Sequence, residues 1–230
     1  MALKDELKVQ LKKFFSEVWS ERDGNVVPSD ESLKLTNDSI KLDATVLYSD
    51  LGDSTNMVDS FGYEFSAEIY KSFLYTAGRI IRAEGGTITA YDGDRIMAVF
   101  IGDSKNTSSV RAAMKLRWAE SNLINPAKQE QYPKTTFSCT HATGIDTSVL
   151  HVAKTGVRGA NDLVWVGRAA NHAAKLSSLP AGFTWISSSV YGQLADVAKF
   201  SNGTNMWTTM KWTEWDGRTI YRSSYYWELV

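Results

Sequence analysis

The sequence predicts an α+β protein, an antiparallel-rich sheet layered against helices on one face. Three observations lead there. A buried apolar run, DATVLYS (43–49), ends on Asp50 and passes through Gly52 into a long helical segment. Two β-branched runs, TITAY (87–91) and RIMAVF (95–100), are separated only by DGD, as in a tight hairpin. Helix, strand and further α and β segments then follow, an order that suits a layered sheet.

The elements follow in chain order. Residues 4–20 carry Leu7, Leu11, Phe14, Phe15 and Val18 at helical spacing with charges opposite. Gly24 and Pro28 then break the pattern. Residues 1–40 are therefore expected to form an N-terminal helical extension, packed on the main domain or on a second chain. The main domain is expected over 41–230. A helix from about 55 to 84 stops at Gly85-Gly86. Another, 105–123, places Val110, Met114 and Trp118 at a spacing of four. Residues 135–145 and 151–156 read as two strands. Residues 170–180 read as a short helix stopped by Pro180, and 183–187 as a strand. The Trp- and Tyr-rich tail is expected to add strands around a turn at Asp216-Gly217. The whole resembles the ferredoxin-like split arrangement.

Composition narrows the function classes. Hydrophobic residues are 43% and charged residues 22% of the 230, an ordinary globular balance. A formal net charge of -1 argues against a general polyanion binder, so no nucleic-acid partner is expected. One cysteine, Cys139, excludes an intrachain disulfide and fits a reducing compartment. It reads as a small buried hydrophobe. No signal-peptide core or membrane-spanning run is present, so a cytoplasmic protein without a membrane partner is expected. His141, His151 and His172 are too dispersed in sequence for a zinc site.

Two acids stand at strand ends, Asp50 after VLYS and Asp94 in the hairpin. If the first strand lies beside the hairpin, both carboxylates emerge at one sheet edge. Such a pair suits Mg²⁺ or Mn²⁺, hard ions that take oxygen ligands and leave positions for substrate phosphates. Gly52, Asp53, Ser54 and Thr55 then lead into a helix whose first N–H groups would face an anion. Taken singly, Asp and Ser are ordinary caps and DG an ordinary turn. Their order and placement favour the metal–phosphate reading.

YSDLGDST and DGDRIMAVF resemble the two metal motifs of the class III nucleotidyl cyclases. HATGIDTSVL and VGRAANHAAKL resemble two later motifs of that family, in family order, over about residues 43–190. The resemblance implies a sheet edge where Asp50, Asp94 and the Leu51 carbonyl hold two Mn²⁺ or Mg²⁺ ions per site. It implies that Asn171 positions the ribose. It places Lys175 where the family has the arginine that stabilises the transition state. Lysine keeps the charge but lacks the bidentate fork. It also implies a homodimer, because in the family the aspartates and the Asn/Arg pair come from different domains.

The family's base readers match Ala90 and Val164, and neither side chain can pair with a purine edge. Tyr91 stands where the family has Thr, and Tyr48 where it has Phe. These side chains, with Trp165 nearby, would shrink the base pocket; for Trp165, core packing is the better account. This resembles the Pycsar pyrimidine cyclases of bacterial antiphage defence. The resemblance implies conversion of UTP to 3′,5′-cyclic UMP, with CTP to cyclic CMP as the alternative. A separate effector protein would read the product. A degenerate cyclase domain that only binds nucleotide or dimerises is the rival from another class. A polymerase-like dinucleotide cyclase is a third, disfavoured by the absence of a GGDEF-like stretch.

Overall fold

A computed structural model describes residues 2–229. Its centre is a pair of long strands, β2 (Asp38–Leu51) and β5 (His141–Val157). They pair antiparallel without interruption from Ser39 opposite Ala153 to Leu51 opposite His141. Chain order runs α1 (Leu3–Ser16), β1 (Ser20–Asp23), β2, α2 (Ser54–Ser60), α3 (Tyr63–Ala83), and the hairpin β3 (Thr87–Asp92) and β4 (Arg95–Phe100). After it come α4 (Lys105–Ala119), a wider π-type segment (Glu120–Ile124), α5 (Asn125–Gln131), β5, β6 (Ala160–Val166), α6 (Arg168–Ser177) and β7 (Phe183–Ser187). The last part holds α7 (Ser188–Gln193), α8 (Asp196–Lys199), the small pair β8 (Phe200–Ser201) and β9 (Thr204–Asn205), then β10 (Thr208–Trp212) and β11 (Arg218–Ser223).

The main path across the sheet is β10-β11-β7-β5-β2-β4-β3, with β1 on β2 and β6 on β5. All neighbours are antiparallel except β1 with β2 and β5 with β7. Alternation along β2 sorts its residues between two layers. Leu47 and Leu51 join Phe73, Ile81, Phe100, Met114 and Leu116 beneath α3 and α4. Leu42, Ala44 and Val46 join Met97, Val99, Leu150 and Trp165 on the other side, where α6 lies. The expectation of helices on one face is therefore corrected. α6 is alanine-rich on its inner side, so it packs close where a bulkier helix would not.

That approach is fixed by Gly144. A Cβ there would lie 2.2 Å from the Ala173 carbonyl oxygen and 2.4 Å from the Ser177 nitrogen. Both are backbone atoms, which cannot step aside as a flexible side chain would.

Several sequence expectations shift. The helix expected at about 55–84 is broken at Phe61-Gly62 into α2 and α3. The helix expected at 105–123 is α4 continued through the π-type segment into α5. The two strands expected at 135–145 and 151–156 are one strand, β5, and residues 135–140 lie outside it. The polar triplet Asp146-Thr147-Ser148 does not interrupt β5. Asp146 is fully buried and bonded to Arg168, His172 and Ser187. The hairpin, β7 and the tail strands around Asp216-Gly217 stand where expected.

The N-terminal segment forms its helix, but α1 buries none of its residues. Leu7, Phe14, Phe15 and Val18 are exposed. Its end is tied by Asn37, whose side-chain amide donates to the carbonyls of Phe14 and Glu17. Strand β1 then joins the sheet beside β2. Cys139 is buried as expected, and burial pushes its thiol up to about 12. Among the described residues no helix is long and apolar enough to cross a membrane.

Two predictions follow from this packing. Gly144→Ala should destabilise the protein by about 2 kcal/mol or more, because α6 must lift from the sheet; a denaturant titration showing wild-type stability would contradict it. The second concerns Glu84, buried between Arg111 at 2.6 Å and Lys115 at 2.7 Å. Burial alone would raise its carboxyl, but the two cations outweigh it and hold the pKa below the ordinary value. Its contribution is present above the unfolded carboxylate range and lost as pH falls through the lowered folded value. Glu84→Gln should cost roughly 1–3 kcal/mol near neutrality and much less at strongly acid pH. A loss that stays constant down the acid limb would refute the ionic account.

Candidate active site

β2 carries Tyr48 and Asp50 on the α6 side of the sheet, two residues apart. Directly opposed residues of paired strands share a face. Asp50 stands opposite Arg95 on β4, and Arg95 Nη2 donates to Asp50 Oδ2 at 2.8 Å. Asp94 lies in the hairpin turn immediately before Arg95. The Asp50 carboxyl is pushed up by burial, Arg95 opposes this, and the charges of Asp94 and Asp92 push it further up. The two aspartates named from the sequence therefore come to one sheet edge, where the Asp94 charge acts on the Asp50 carboxyl. Leu51, buried, closes β2 opposite His141.

The turn after β2 differs in one respect from the expected cradle. The Gly52 N–H donates to the Thr140 carbonyl at 2.7 Å and is not open to an anion. Gly52 serves close approach instead: a Cβ there would lie 2.7 Å from the Ala181 Cβ. Asp53 adopts a left-handed φ of 59°, and the Asn56 side-chain amide donates to its carboxylate. The Met57 N–H closes the first helical turn on the Asp53 carbonyl at 3.0 Å. Those of Ser54, Thr55 and Asn56 belong to the helix start, which leaves them without intrahelical partners.

Two residues beside this edge were missed from the sequence. One is Arg95, which neutralises part of the acidic edge. The other is Tyr70 on α3. Its phenol is pushed up by burial and by the Asp94 charge, with the Ser54 hydroxyl opposing. Tyr70 fits the amphipathic pattern of α3, so the sequence carries no separate signal for it.

The residues expected at the base divide. Tyr48 stands opposite Met97, and Met97 opposite Ala90, so the three form a row across β2, β4 and β3. A one-residue bulge at Thr89 places Ala90 on this face while Ile88 packs toward α3. Burial pushes the half-buried Tyr48 phenol up. Tyr91 points the other way, opposite Ile96, with its hydroxyl beside Gly78 of α3. The expectation that Tyr91 narrows the same pocket as Tyr48 is corrected by the alternation of the strand. Val164 stands opposite Ala153, whereas Tyr48 stands opposite Gly144. Nine residues along β5 separate those two positions (153 − 144), roughly 30 Å of strand. One chain does not bring Val164 to Tyr48. Trp165 packs in the core beside Leu150 and Val152, as expected of it.

α6 is seated by its first turn. The Ala169 N–H donates to the Ser148 hydroxyl at 3.0 Å, and Arg168 Nη2 donates to the Thr147 carbonyl at 2.8 Å. On the inner side His172 Nδ1 lies 3.0 Å from Asp146 Oδ2. Burial pulls the His172 pKa down, and Asp146 acts against that. Asn171 and Lys175, four apart, are both exposed on the same helical face. The Lys175 ammonium lies 4.1 Å from the centre of the Trp215 ring.

Among the described residues no three His, Cys, Asp or Glu side chains converge on a point. A divalent ion still suits the donor chemistry at the sheet edge. The Arg95 guanidinium is bonded to Asp50, and the charges of Asp92 and Asp94 also act on it. An excess of oxygen donors with an open side is the set that hard cations prefer.

No protein-family model matches the chain. Solved structures share the fold. The guanylyl cyclase Cya2 superposes with a TM-score of 0.69 at 20% identity, over 82% of this chain and 94% of that one. The adenylyl cyclase CyaB of P. aeruginosa does so with a TM-score of 0.67 at 21% identity, over 80% and 95%. Relatives in sequence are far nearer. A uridylate cyclase of Xanthomonas perforans is 54% identical over the full length of both chains, and one of Burkholderia cepacia 48% identical, also end to end. A third, from Rhodovulum sp. (strain MB263), is 36% identical over 98% of each. With this identity, the class III cyclase fold and the two aspartates on one edge, the chain belongs to the uridylate cyclase family of nucleotidyl cyclases.

Proposed function

We propose that this protein converts UTP to 3′,5′-cyclic UMP and pyrophosphate at two equivalent sites of a homodimer. The observation that carries this reading is the end-to-end match to uridylate cyclases of two organisms at 54% and 48% identity. In it, Asp50, Asp94 and the Leu51 carbonyl hold two Mn²⁺ or Mg²⁺ ions. Such ions, when bound, neutralise the triphosphate and lower the pKa of the ribose 3′-hydroxyl that attacks the α-phosphorus. Arg95 shares Asp50 in the free protein and would be displaced from it on loading. Asn171 orients the ribose, and Lys175 places its charge against the phosphoryl oxygens as pyrophosphate leaves. Ser54 and Thr55 meet the phosphates at the start of α2. The separation of Val164 from Tyr48 along β5 supports a site completed by a second copy. A symmetric dimer would form two such sites at one two-fold interface.

The base would rest on the Tyr48–Met97–Ala90 row. Ala90 offers a purine edge no hydrogen-bonding group, and the Tyr48 phenol fills space that a second ring would need. A phenol is both donor and acceptor. In the cell, cyclic UMP would serve as a second messenger in antiphage defence, read by a separate effector; the support for this is the resemblance to the Pycsar cyclases.

The reading is tested by incubating the protein with Mn²⁺ and ATP, GTP, CTP or UTP separately and resolving products by mass. Cyclic UMP should dominate, and Asp50→Ala should lower its formation at least about a hundredfold. A predominance of cyclic CMP would transfer the assignment to the alternative substrate. No cyclic product from any nucleotide, with the dimer intact, would favour the degenerate domain. Specificity has its own test. Tyr48→Ala should reduce the preference for UTP over ATP by about tenfold or more, and Tyr48→Phe by less, because it keeps the ring. An unchanged preference in Tyr48→Ala would remove Tyr48 from base selection.

A further inference from the structure

The turn between β10 and β11 carries Trp215 out over α6. It is held by backbone bonds from the Trp215 and Gly217 N–H groups to the Trp212 carbonyl, at 3.1 and 3.0 Å. Asp216 and Gly217 take left-handed φ values of 55° and 63° within it. The Trp215 ring stacks on Trp212 at 5.6 Å, and His172 stands edge-on to both, at 5.0 Å from Trp215 and 5.5 Å from Trp212. His172 is in turn fixed by the fully buried Asp146, 3.0 Å from its Nδ1. A chain of packed groups thus runs from the strand β5 outward and ends on the one face of Trp215 that meets the Lys175 ammonium, 4.1 Å away.

We infer that Trp215 is a positioning residue for Lys175, holding its ammonium in the orientation that the reaction needs. The inference rests on the reading that Lys175 acts on the triphosphate. The physical reason is the difference between the two cations. An arginine presents a planar, pre-organised fork, whereas a lysine is a point charge on a flexible four-carbon stem. A lysine in an arginine's place must be restrained to act at the right moment in the reaction. An aromatic face within about 6 Å attracts an ammonium through its ring quadrupole and leaves the N–H donors on the far side free. The Asp146–His172–Trp212 stack keeps that face itself from turning. Lys175 and Trp215 would then work as a unit, the indole setting where the charge stands.

The test is a double-mutant cycle on the full-length protein with UTP and Mn²⁺, reading kcat and KM. Trp215→Leu should lower kcat about fivefold to tenfold with KM within about twofold, as expected for loss of one cation–π restraint. Lys175→Met should lower kcat further, and adding Trp215→Leu to it should change nothing more. Trp215→Phe should fall between wild type and Trp215→Leu. Wild-type kcat in Trp215→Leu, a rise in kcat, or losses that multiply in the double variant would each overturn the inference while leaving the role of Lys175 standing. Wild-type kcat in Lys175→Met, or a wild type that makes no cyclic product, would overturn the reading beneath it and this inference together. A second readout needs no turnover. The ε-methylene NMR signals of Lys175 should sit upfield under the indole ring current and return to ordinary positions in Trp215→Leu. Ordinary positions in the wild type would disprove the contact.

Discussion

The unbroken pairing of β2 with β5 is the constraint on which the rest depends. Thirteen residue pairs, from Ser39–Ala153 to Leu51–His141, set which side chains face each layer. A slip of one residue would send Leu47 and Leu51 into the α6 layer and Tyr48 and Asp50 into the core beneath α3. The register is pinned from both sides. Leu47 and Ile145 pack under α3 and α4, and Val46 and Leu150 under α6. Buried hydroxyls between the strands add direction. Thr45 Oγ1 donates to Asn106 Oδ1 at 2.8 Å and lies 3.0 Å from the Thr147 hydroxyl, and the hydroxyls of Ser49 and Thr143 lie 2.9 Å apart. Such pairs are satisfied in one register only, and a buried group left unpaired costs about 1–3 kcal/mol. The acidic edge is the end of this ladder, so the placement of Asp50 is inherited from the core.

How much of this was legible depends on what each signal could carry. Asp50 and Asp94 were legible because an acid directly after an apolar strand, and another in a two-strand turn, are local patterns. Their meeting required only that β2 and β4 be neighbours. β5 was divided in two because Asp146, Thr147 and Ser148 look like a loop in sequence. Their side chains meet Thr45, Arg168, Ala169, His172 and Ser187, all distant along the chain, and no local pattern reports such satisfaction. The face of α6 was missed for a related reason. Its alanines at 169, 170 and 173 give a weak apolar stripe, and the glycine that receives it, Gly144, lies on another element. Tyr91 was placed by analogy of position, and the two-residue period of the strand overrules that.

The buried Asp146 joins both halves of this account. It sits in mid-strand with no exposure and gathers Arg168 at 3.2 Å, His172 at 3.0 Å and the Ser187 hydroxyl. A buried carboxylate without partners would be strongly destabilising, so these contacts are obligatory. Their effect is to tie the first turn of α6 and the end of β7 to the centre of β5. The helix that carries Asn171 and Lys175 is thereby locked in rotation as well as in height: Gly144 sets how close it comes, and Asp146 sets which way it faces.

The proposed base site would let a change of substrate follow from a few side chains on an unchanged frame. Solved purine cyclases superpose on about four-fifths of this chain, and the strand frame is common to both. In the proposed reading, what differs is the chemistry of one row of the sheet. In that reading, an alanine at position 90 withdraws a purine reader, which by itself would only weaken binding. Discrimination needs a group that the wrong base leaves unpaired or collides with. Tyr48 is on the same face and two residues from Asp50, close to the reacting end of the site. A ring there would exclude the larger base by volume, and its hydroxyl could pair with a uracil carbonyl. Bulk and hydrogen bonding would then come from one residue, which is why the alanine and phenylalanine variants at position 48 separate them.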